Sequence, residues 1–560
     1  MNLEERKLKV ALWSAAALAG LLQAWGKRFL IEPDGLNYLD ISYAYLHHDW
    51  PNAINAYWSP LYSWILAAAI SITRVPLPLE STLLHLVNFL LYLFALACFA
   101  FFFHELTAWP VTNSDSQADA STGSPGWLVW GFALFVYCEL ELIGVGADTP
   151  DMLVSALFFL ASALLLRMRR GKAGWPLYAA FGVILALAYL AKAVMFPLGF
   201  VFLLCAVFAP PQRLRHLPRA GLALICFVVV SAPWLFLLSH AKNRFTFGDA
   251  GRLNYAWYVN GFGGLPPGYK EIAAAGVLVH PMRRISDLPP VEEFATPIAG
   301  TYPPWYDPTY WYEGVIPHFE ARAQLKILRQ SIGEYFRVVS AQRSIVVGFL
   351  VVFFFANEWL GFLRKLLALW PIWLPALATF SIYGLVHVET RFLGAAVVIS
   401  WCCLFASLVL PRPEYSPRAW RAVFLAVALL VGVTVIKALA GDLAGSSGTK
   451  NLPWQVATEL NGCGLQPGDK VAVLGHDTSS DYWAHLAQVR IVADLKKENV
   501  PVYWDASDAT RARVLDSLAH TGASFVVTRF RPPASQISGW HTLGETGYYA
   551  LPLASGVKAE

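Results

Sequence analysis

Eleven apolar runs, each close to the length that a helix needs to cross a lipid bilayer, follow one another along this chain. A spanning helix takes about 20 residues. Of the 560 residues, 56% are hydrophobic and only 14% are charged, whereas a soluble domain carries about 25% charged residues. We therefore predict an α-helical polytopic membrane protein with about eleven transmembrane helices. The runs cover residues 8–30, 79–104, 126–143, 149–167, 174–191, 194–210, 220–239, 344–363, 366–386, 393–410 and 421–440.

A further apolar run at residues 59–73 is too short to count with the others. Its roughly 15 residues extend about 22 Å at the helical rise. With a cytoplasmic N-terminus, the basic clusters lie in the cytoplasm, as the positive-inside rule requires, only if this run does not cross. We therefore predict that 59–73 and the amphipathic stretch 36–47 lie in the outer interface, and that loop 105–125 is cytoplasmic. The basic clusters are RMRRGK (167–172), PPQRLRHLPR (210–219), Arg364-Lys365 and PRPEYSPRAWR (411–421).

The chain divides into two predicted domains. Residues 1–445 form the transmembrane domain, with outer juxtamembrane helices at 34–74 and a large outer loop at 240–343. Residues 446–560 form an extracytoplasmic α/β domain, because short apolar runs alternate there with a helical stretch at 508–520. The predicted strands are KVAVLG (470–475), VRIVAD (489–494), ASFVVT (523–528) and YYALPL (548–553).

Composition excludes several functional classes. Six of the seven cysteines lie inside apolar runs, so neither a disulfide framework nor a zinc site can be built from them. The formal net charge is only +4, which gives no basic field for nucleic acid. The glycines of the tail do not have the spacing of a dinucleotide-binding loop. We therefore expect no nucleic-acid partner and assign no cofactor to the tail.

The stretch EPDGLNYLD (32–40) places three acids directly after the first apolar run. Asp34 can cap the helix that follows it. It can also act as a general base at the boundary between water and membrane, since the start of a helix fixes the direction of the carboxylate. Asp40, six residues further on, is the weaker candidate.

The turn GADTPD (146–151) opens another predicted helix. Asp151 complements the dipole of that helix, which explains it without any catalytic role. The same reasoning does not explain Asp148, nor Glu139 and Glu141 at the end of the preceding apolar run. Carboxylates at this depth are costly and therefore indicate a functional site.

Two cations lie in further outer turns. Lys192 interrupts the apolar stretch 174–210 near its middle, so we predict a hairpin that turns at the outer face. The lysine either snorkels to water or binds an anionic group such as a phosphate. Glu389 and Arg391 share a later outer turn, where they either neutralise one another or, with Lys192, form a two-cation phosphate clamp.

Aromatic side chains are concentrated in YPPWYDPTYWYEG (302–314), within the large outer loop. They fit an interfacial aromatic belt, or alternatively a surface that stacks on a sugar. Apolar residues at helical spacing follow at 319–340, and they predict a helix lying on the membrane.

Five of these motifs together resemble the GT-C superfamily of integral-membrane glycosyltransferases, in particular its family 39-like members such as protein O-mannosyltransferases and lipid A aminoarabinose transferases. The resemblance covers about residues 1–410 and does not include the tail. The motifs are EPDGLNYLD (32–40), YWSPLYSW (57–64), TPDMLVSA (149–156), LAKAVMFP (190–197) and ETRFLG (389–394).

The resemblance implies an inverting transferase that moves a sugar from a polyprenyl-phosphate donor to a lipid, glycan or protein acceptor, at the outer face of the plasma (inner) membrane. Asp34 would activate the acceptor, and Asp151 would be the second catalytic acid. Lys192 and Arg391 would hold the departing phosphate. The implied substrate-binding residues are Asp148, Lys192, Glu389, Arg391, Tyr57 and Trp58.

One departure from the family concerns metal binding. Many relatives carry two adjacent acids in the first outer loop, whereas Gly35 follows Asp34 here. A single carboxylate is a poor site for a hard cation, so we expect no metal. The alternative function is a transporter or flippase of a lipid-linked glycan, which needs ionisable residues along a path through the bilayer. A non-catalytic scaffold is a third possibility, but it leaves the charged outer turns unexplained.

Overall fold

The computed structural model describes most of the chain. Parts of loop 105–125 and of outer loop 240–343, and the predicted domain boundary at 446–450, lie outside the described residues. The described residues are 3–108, 125–171, 173–211, 213–262, 278–297, 299–355, 359–408, 416–445, 451–477 and 481–553.

The N-terminal part of the chain is helical. Its first helices are α1 (Leu3–Lys27), α2 (Pro33–Leu46), α3 (Trp50–Ala53), α4 (Pro60–Thr73), α5 (Glu80–Thr107), α6 (Pro125–Tyr137), α7 (Asp151–Arg169), α8 (Trp175–Ala191), α9 (Met195–Phe208), α10 (Arg213–Ala241) and α11 (Ala250–Asn254). Strands β1 (Arg283–Asp287) and β2 (Pro290–Glu293) follow, and then α12 (Pro303–Tyr306), α13 (Pro308–Trp311), α14 (Ala321–Ala341), α15 (Arg343–Phe355), α16 (Trp359–Ala368), α17 (Trp370–Gly384), α18 (Gly394–Ala406) and α19 (Ser416–Gly445).

Six of the described helices are long and apolar enough to cross a membrane, so the chain is an integral membrane protein. These six correspond to six of the predicted runs: Leu3–Lys27, Leu77–Thr107, Pro125–Ile143, Asp151–Arg169, Leu214–Ala241 and Ala422–Gly445. Two bent helix pairs raise the number to eight if each pair is one span. The shorter apolar helices are Pro60–Thr73, Trp175–Ala191, Met195–Phe208 and Thr390–Ala406.

The bent pairs differ from the straight helices predicted at 344–363 and 366–386. Helix α15 ends at Phe355, and α16 begins at Trp359, with 356–358 outside the described residues. Helix α16 then meets α17 at 81°. Pro371, in the first turn of α17, has no N–H to continue the helix before it, which favours a new start there. The predicted surface helix at 319–340 is present as α14, and α15 leaves it at 79°.

The centre of the helical part is packed with aromatic rings. Phe99 of α5 stacks on Phe135 of α6 with ring centroids 4.9 Å apart, and Phe159 of α7 meets Phe99 edge-on at 5.6 Å. Trp127 and Trp130 on α6 stack at 4.9 Å. Such ring pairs add to the energy of burial. This core packs the helices that end in the turns carrying the candidate residues.

The C-terminal part contributes five strands to a seven-stranded mixed sheet. Strand β3 lies at its centre and pairs in parallel with β4 and β5, and the sheet order is β1-β2-β4-β3-β5-β7-β6. The predicted strands and the predicted helix 508–520 are all present. The elements are α20 (Leu452–Gly462), β3 (Lys470–His476), α21 (Tyr482–Leu486), β4 (Arg490–Lys496), α22 (Val500–Asp505), α23 (Asp508–His520), β5 (Ala523–Thr528), β6 (His541–Thr542) and β7 (Tyr549–Pro552).

Two strands of this sheet come from the large outer loop, which the sequence did not indicate. Strand β2 pairs antiparallel with β4, with Glu292 opposite Asp494 and Glu293 opposite Ala493. Val291 is fully buried in the same core as the strands of the tail. The outer loop and the tail therefore build one sheet.

Candidate active site

Charged side chains from four separate turns meet at one end of the helical part. Asp34 lies in the first turn of α2, and Asp151 is the first residue of α7. Lys192 lies between α8 and α9, and Arg391 lies in a short 3₁₀ turn before α18. These four residues, called the charged cluster below, are the ones that the sequence picked out in outer turns.

Arg391 lies at the centre of the charged cluster and contacts several carboxylates. Its Nη2 donates to Asp34 Oδ2 at 2.7 Å, and its Nε donates to Glu389 Oε2 at 2.7 Å. Its Nε also lies 3.9 Å from Asp151 Oδ2. Burial alone would raise the pKa of Glu389, but hydrogen bonds from His387 and Arg391 lower it to about 2. Glu389 therefore stays ionised and holds the guanidinium in place.

Lys192 completes the charged cluster from the other side. Its ammonium donates to Asp151 Oδ1 and lies 3.7 Å from the centroid of the Phe392 ring, a cation–π contact. Burial lowers the pKa of Lys192, while Asp151 opposes that shift. Lys192 and Arg391 thus face the same carboxylate, so one anionic group can contact both cations.

Asp148 does not reach the charged cluster. It is fully buried, and it accepts hydrogen bonds from Asn88 Nδ2 at 2.9 Å and from the backbone N–H of Glu32 at 3.3 Å. Burial raises the pKa of Asp148 to about 8. In this structure it supports the turn before α2 and is not open to a substrate.

The position of Asp148 also explains Gly35. A Cβ atom built on Gly35 would lie 2.2 Å from Asp148 Cβ, much closer than real atoms approach. A second acid after Asp34 therefore does not fit while Asp148 occupies this place.

Aromatic side chains form a wall beside Asp34. Trp305 Nε1 donates to Asp34 Oδ1 at 3.2 Å, and Trp58 Nε1 donates to the Trp305 carbonyl at 3.2 Å. Tyr57 packs against Trp58 at 4.6 Å and against Trp257 at 5.7 Å. Trp305 was indicated only as one ring among many in the run 302–314, and sequence reasoning missed Trp257 altogether.

The other acids singled out from the sequence lie elsewhere. Asp40 is buried and accepts from the Thr301 backbone N–H at 2.6 Å, so it does not belong to the charged cluster. Glu139 is fully buried in the π-helical turn Cys138–Ile143, and Ser155 Oγ donates to it at 2.6 Å. Glu141 lies in the same turn.

A small pocket opens beside the charged cluster. Asp151 and Arg391 form its charged side, and Ser155, Thr379 and Tyr383 bring hydroxyl groups to it. The rest of the lining is apolar: Ile143, Val154, Phe158, Val194, Met195, Leu198, Phe392, Gly394, Ala395 and Ala396. Within the part of the chain that the structure describes, no group of three or more His, Cys, Asp or Glu residues is placed to hold a metal ion.

The chain shares its fold with ArnT, so the fold that the resemblance of the motifs implied is confirmed. The apo crystal structure of ArnT from Cupriavidus metallidurans matches with a TM-score of 0.54 at 11% identity, over 98% of both chains. The match extends beyond residue 410 into the tail, which the motifs did not cover.

Two further solved structures are similar to a lesser degree. ArnT from the same organism bound to undecaprenyl phosphate gives a TM-score of 0.44 at 14% identity, over 98% of both chains. The oligosaccharyltransferase AglB from Archaeoglobus fulgidus, with an inhibitory peptide and a dolichol-phosphate, gives 0.42 at 12%, over 94% of this chain and 70% of that one. The fold assignment rests on the apo ArnT structure. No protein-family model and no curated protein sequence matches the chain.

Proposed function

We propose that the protein is a glycosyltransferase that moves a sugar from a polyprenyl-phosphate donor to a lipid, glycan or protein acceptor. The observation that carries this proposal is the charged cluster. Lys192 and Arg391 face one carboxylate of Asp151, while Arg391 also binds Asp34. A two-cation site next to a carboxylate that can take a proton suits the release of a phosphate during transfer. ArnT, a lipid A aminoarabinose transferase, has the same fold.

In the proposed reaction, Asp34 takes the proton from the acceptor hydroxyl or amine as that atom attacks the anomeric carbon. The bond between this carbon and the phosphate oxygen breaks, and the phosphate leaves with the electron pair. Attack opposite the leaving group inverts the anomeric centre. Lys192 and Arg391 stabilise the charge that develops on the phosphate.

The two catalytic acids have different surroundings. Asp34 is 17% exposed and faces the aromatic wall, so an acceptor can approach it. Asp151 is only 4% exposed and touches both cations, and its second oxygen accepts from Thr149 Oγ1 at 2.8 Å. We assign Asp151 to orienting the cations and the donor. Asp148 holds the first turn of α2 and thereby the direction of Asp34.

We assign Glu389, Tyr57 and Trp58 to substrate binding because they lie around Asp34. Glu389 fixes the guanidinium of Arg391. Tyr57 OH donates to Asn254 Oδ1 at 3.2 Å, which leaves its ring as part of the aromatic wall. Trp58 is 7% exposed and supports Trp305. Aromatic faces of this kind stack on sugars or on the apolar part of a lipid.

We propose eleven crossings with a cytoplasmic N-terminus, a charged cluster at the outer face of the plasma membrane, and domains at 1–445 and 446–560. The contact between Asp34 and Arg391 supports this topology, because both must lie on one side, with an even number of crossings between them. Helix α4 has 14 residues and lies in the interface in this scheme. A reporter fused after residue 115 should be cytoplasmic. An external reporter would contradict the count.

The test of the function is a transfer assay. The purified protein, in lipid nanodiscs, should release polyprenyl phosphate from a polyprenyl-phosphate sugar only when an acceptor is present. The anomer of the product, read by NMR, should be opposite to that of the donor. Mass spectrometry of a co-purifying lipid-linked sugar would name the donor. Transport of the intact donor without release of the phosphate would favour the flippase alternative, for which the described contacts give no support.

A further inference from the structure

The tail of the chain contacts the helical part through the segment Thr301–Tyr306, which also carries Trp305 of the aromatic wall. Ile491 N–H, at the tail side, donates to the Thr301 carbonyl at 3.0 Å. Thr301 in turn donates through its N–H and its hydroxyl to Asp40, at 2.6 and 3.0 Å. One residue is thus bound by the sheet on one side and by α2, the helix that carries Asp34, on the other.

Tyr302 makes the next contact with the tail. Its hydroxyl donates to Asp494 Oδ2 at 2.9 Å, and its ring stacks on His476 with centroids 4.2 Å apart. His476 lies between two carboxylates, with Nε2 2.9 Å from Asp481 and Nδ1 3.1 Å from Asp494. All of these groups are buried. Tyr302 is therefore bound in a pocket that buried charged side chains of the tail form.

Trp305 is three residues beyond Tyr302, in the single turn α12. The Trp305 N–H donates to the Tyr302 carbonyl at 3.1 Å, so the two residues are joined by the backbone of one turn. At the other end, the Trp305 indole donates to Asp34. Gly300 precedes this segment with φ +67°, and a Cβ there would lie 2.2 Å from the Tyr306 ring, so the entry to the turn is also fixed.

From these contacts we propose that the C-terminal sheet domain is part of the active site: through Tyr302 and His476 it positions Trp305, and through Trp305 it orients the carboxylate of Asp34. Tyr302 and His476 are positioning residues, since neither lies in the charged cluster. This inference goes beyond the proposed function because it gives the tail a role in catalysis. The kinetic test below rests on the proposed transfer activity, whereas the spectroscopic test does not.

The kinetic test is a double-mutant cycle between Tyr302→Phe and Trp305→Phe. Tyr302→Phe keeps the ring and removes one hydrogen bond, whereas Trp305→Phe replaces the indole by a smaller ring and removes its hydrogen bond to Asp34. Because a small misplacement of a catalytic group reduces turnover strongly, we expect about a 10-fold loss of kcat for each variant, with KM within about two-fold. If Tyr302 acts through Trp305, the double variant should also lose about 10-fold. A loss near 100-fold in the double variant would overturn the proposal.

Tyr482→Phe is the matched control. Tyr482 is a buried tyrosine at the same interface, on the side of the tail, and its hydroxyl donates to Glu80 at 3.5 Å. It does not contact the segment Thr301–Tyr306 through any hydrogen bond among the described residues. We expect kcat to stay within about two-fold in this variant. An equal loss of kcat in Tyr482→Phe and Tyr302→Phe would show general loosening of the domain and would overturn the proposal.

A second measurement does not depend on any enzymatic activity. The full chain, labelled with 5-fluorotryptophan in nanodiscs, should give a ¹⁹F resonance for Trp305, which is identified by its loss in Trp305→Phe. We expect it to move in Asp34→Asn, in Tyr302→Phe and in His476→Gln, and to stay in place in Tyr482→Phe. A resonance that moves in Asp34→Asn but not in Tyr302→Phe or His476→Gln would overturn the proposal. If no donor is ever consumed, the proposed function fails while this resonance still decides the inference.

Discussion

Two regions of the molecule place carboxylates against cations, and they differ in how far they are open. In the charged cluster, Asp34, Arg391 and Lys192 keep 17%, 21% and 22% of their side chains exposed, and Asp151 keeps 4%. At the junction with the tail, His476 and His485 and their carboxylate partners are at most 10% exposed. The cations also differ, because the guanidinium of arginine keeps its charge at neutral pH, whereas a histidine owes its charge to its neighbours.

This difference in exposure indicates different roles for the charged cluster and the junction. Burial alone would lower the pKa of His485, but Glu80 and Asp40, each 2.9 Å away, raise it to about 10. Such a buried group cannot exchange partners without a large cost in free energy. Partly exposed ion pairs cost much less to rearrange. The charged cluster can therefore give up internal contacts to a substrate, while the junction holds the two parts together.

The largest expected effect follows from removing the negative charge of the charged cluster at the proposed base. Asp34→Asn cannot accept a proton, so we expect kcat/KM to fall by about 10²–10⁴-fold, measured as acceptor-dependent release of polyprenyl phosphate. Asp49→Asn is the control: Asp49 is an exposed residue of the same outer segment, and its change should leave the rate within about two-fold. Full activity of Asp34→Asn would remove the base assignment.

The next largest loss of activity should follow from changing the hydrogen-bonding geometry of Arg391. Arg391 binds Asp34 and Glu389 through different nitrogens, which the single ammonium of a lysine cannot reproduce. We expect Arg391→Lys to lower kcat/KM by roughly 10–100-fold. Arg337→Lys, on the exposed surface of α14 in an ion pair with Glu334, should have no measurable effect. Equal rates for wild type and Arg391→Lys would show that charge alone is needed.

A smaller effect should follow at the contact of Gly35 with Asp148. The added methyl group of Gly35→Ala overlaps Asp148 Cβ, and overpacking of this kind costs about 1–3 kcal/mol. We expect a lower melting temperature and roughly a 10-fold loss of kcat, because the first turn of α2 carries Asp34. A Gly35→Ala protein with unchanged rate and melting temperature would contradict the packing described here.

The smallest effect is on the pH dependence of stability at the junction. Burial alone would lower the pKa of His476, but Asp481 and Asp494 raise it from 6.5 to about 10. A pKa that is higher in the folded than in the unfolded chain means that the stabilisation is complete below about pH 6.5 and is lost as the pH rises toward about 10. We expect the melting temperature of the wild type to fall by a few degrees more between pH 7 and pH 10 than that of His476→Gln.

His520→Gln serves as the control for that measurement. His520 is an exposed residue at the end of α23, so its change should leave the slope of melting temperature against pH as in the wild type. Identical slopes for the wild type and His476→Gln would show that the charge of His476 does not hold the junction.

The residues of the charged cluster could be found from the sequence because each interrupts or ends an apolar run, and polar residues are rare there. The strands of the tail could be found for a similar reason, since their apolar runs are short and bounded by turns. Asp148 and Asp151 could not be separated in this way. They are three residues apart in one turn, and only the structure shows that Asp148 packs against Gly35 whereas Asp151 contacts Lys192.

The pairing of strands that are distant in the chain could not be predicted from the sequence, for a different reason. Strands β1 and β2 are short and carry charges at Arg283, Arg284, Glu292 and Glu293, so they lack the apolar pattern of a strand in a core. Strand β1 pairs with β2, and β2 pairs with β4, far along the chain, through backbone hydrogen bonds that any sequence can make. The role of Trp305 could not be predicted for the same reason, since its contact with Asp34 joins residues that are remote in sequence.

The shared sheet sets an order in which the protein can be completed. Strand β2 leaves the ribosome roughly 200 residues before its partner β4, which corresponds to about 10–40 s of synthesis at common rates of elongation. During that interval, the helices between them must enter the membrane while the hairpin β1-β2 waits with an unpaired edge, a surface prone to wrong association. Trp305 reaches its final place only after the last strands have arrived, so a nascent or truncated chain has an unfinished catalytic centre even when every membrane helix is in position.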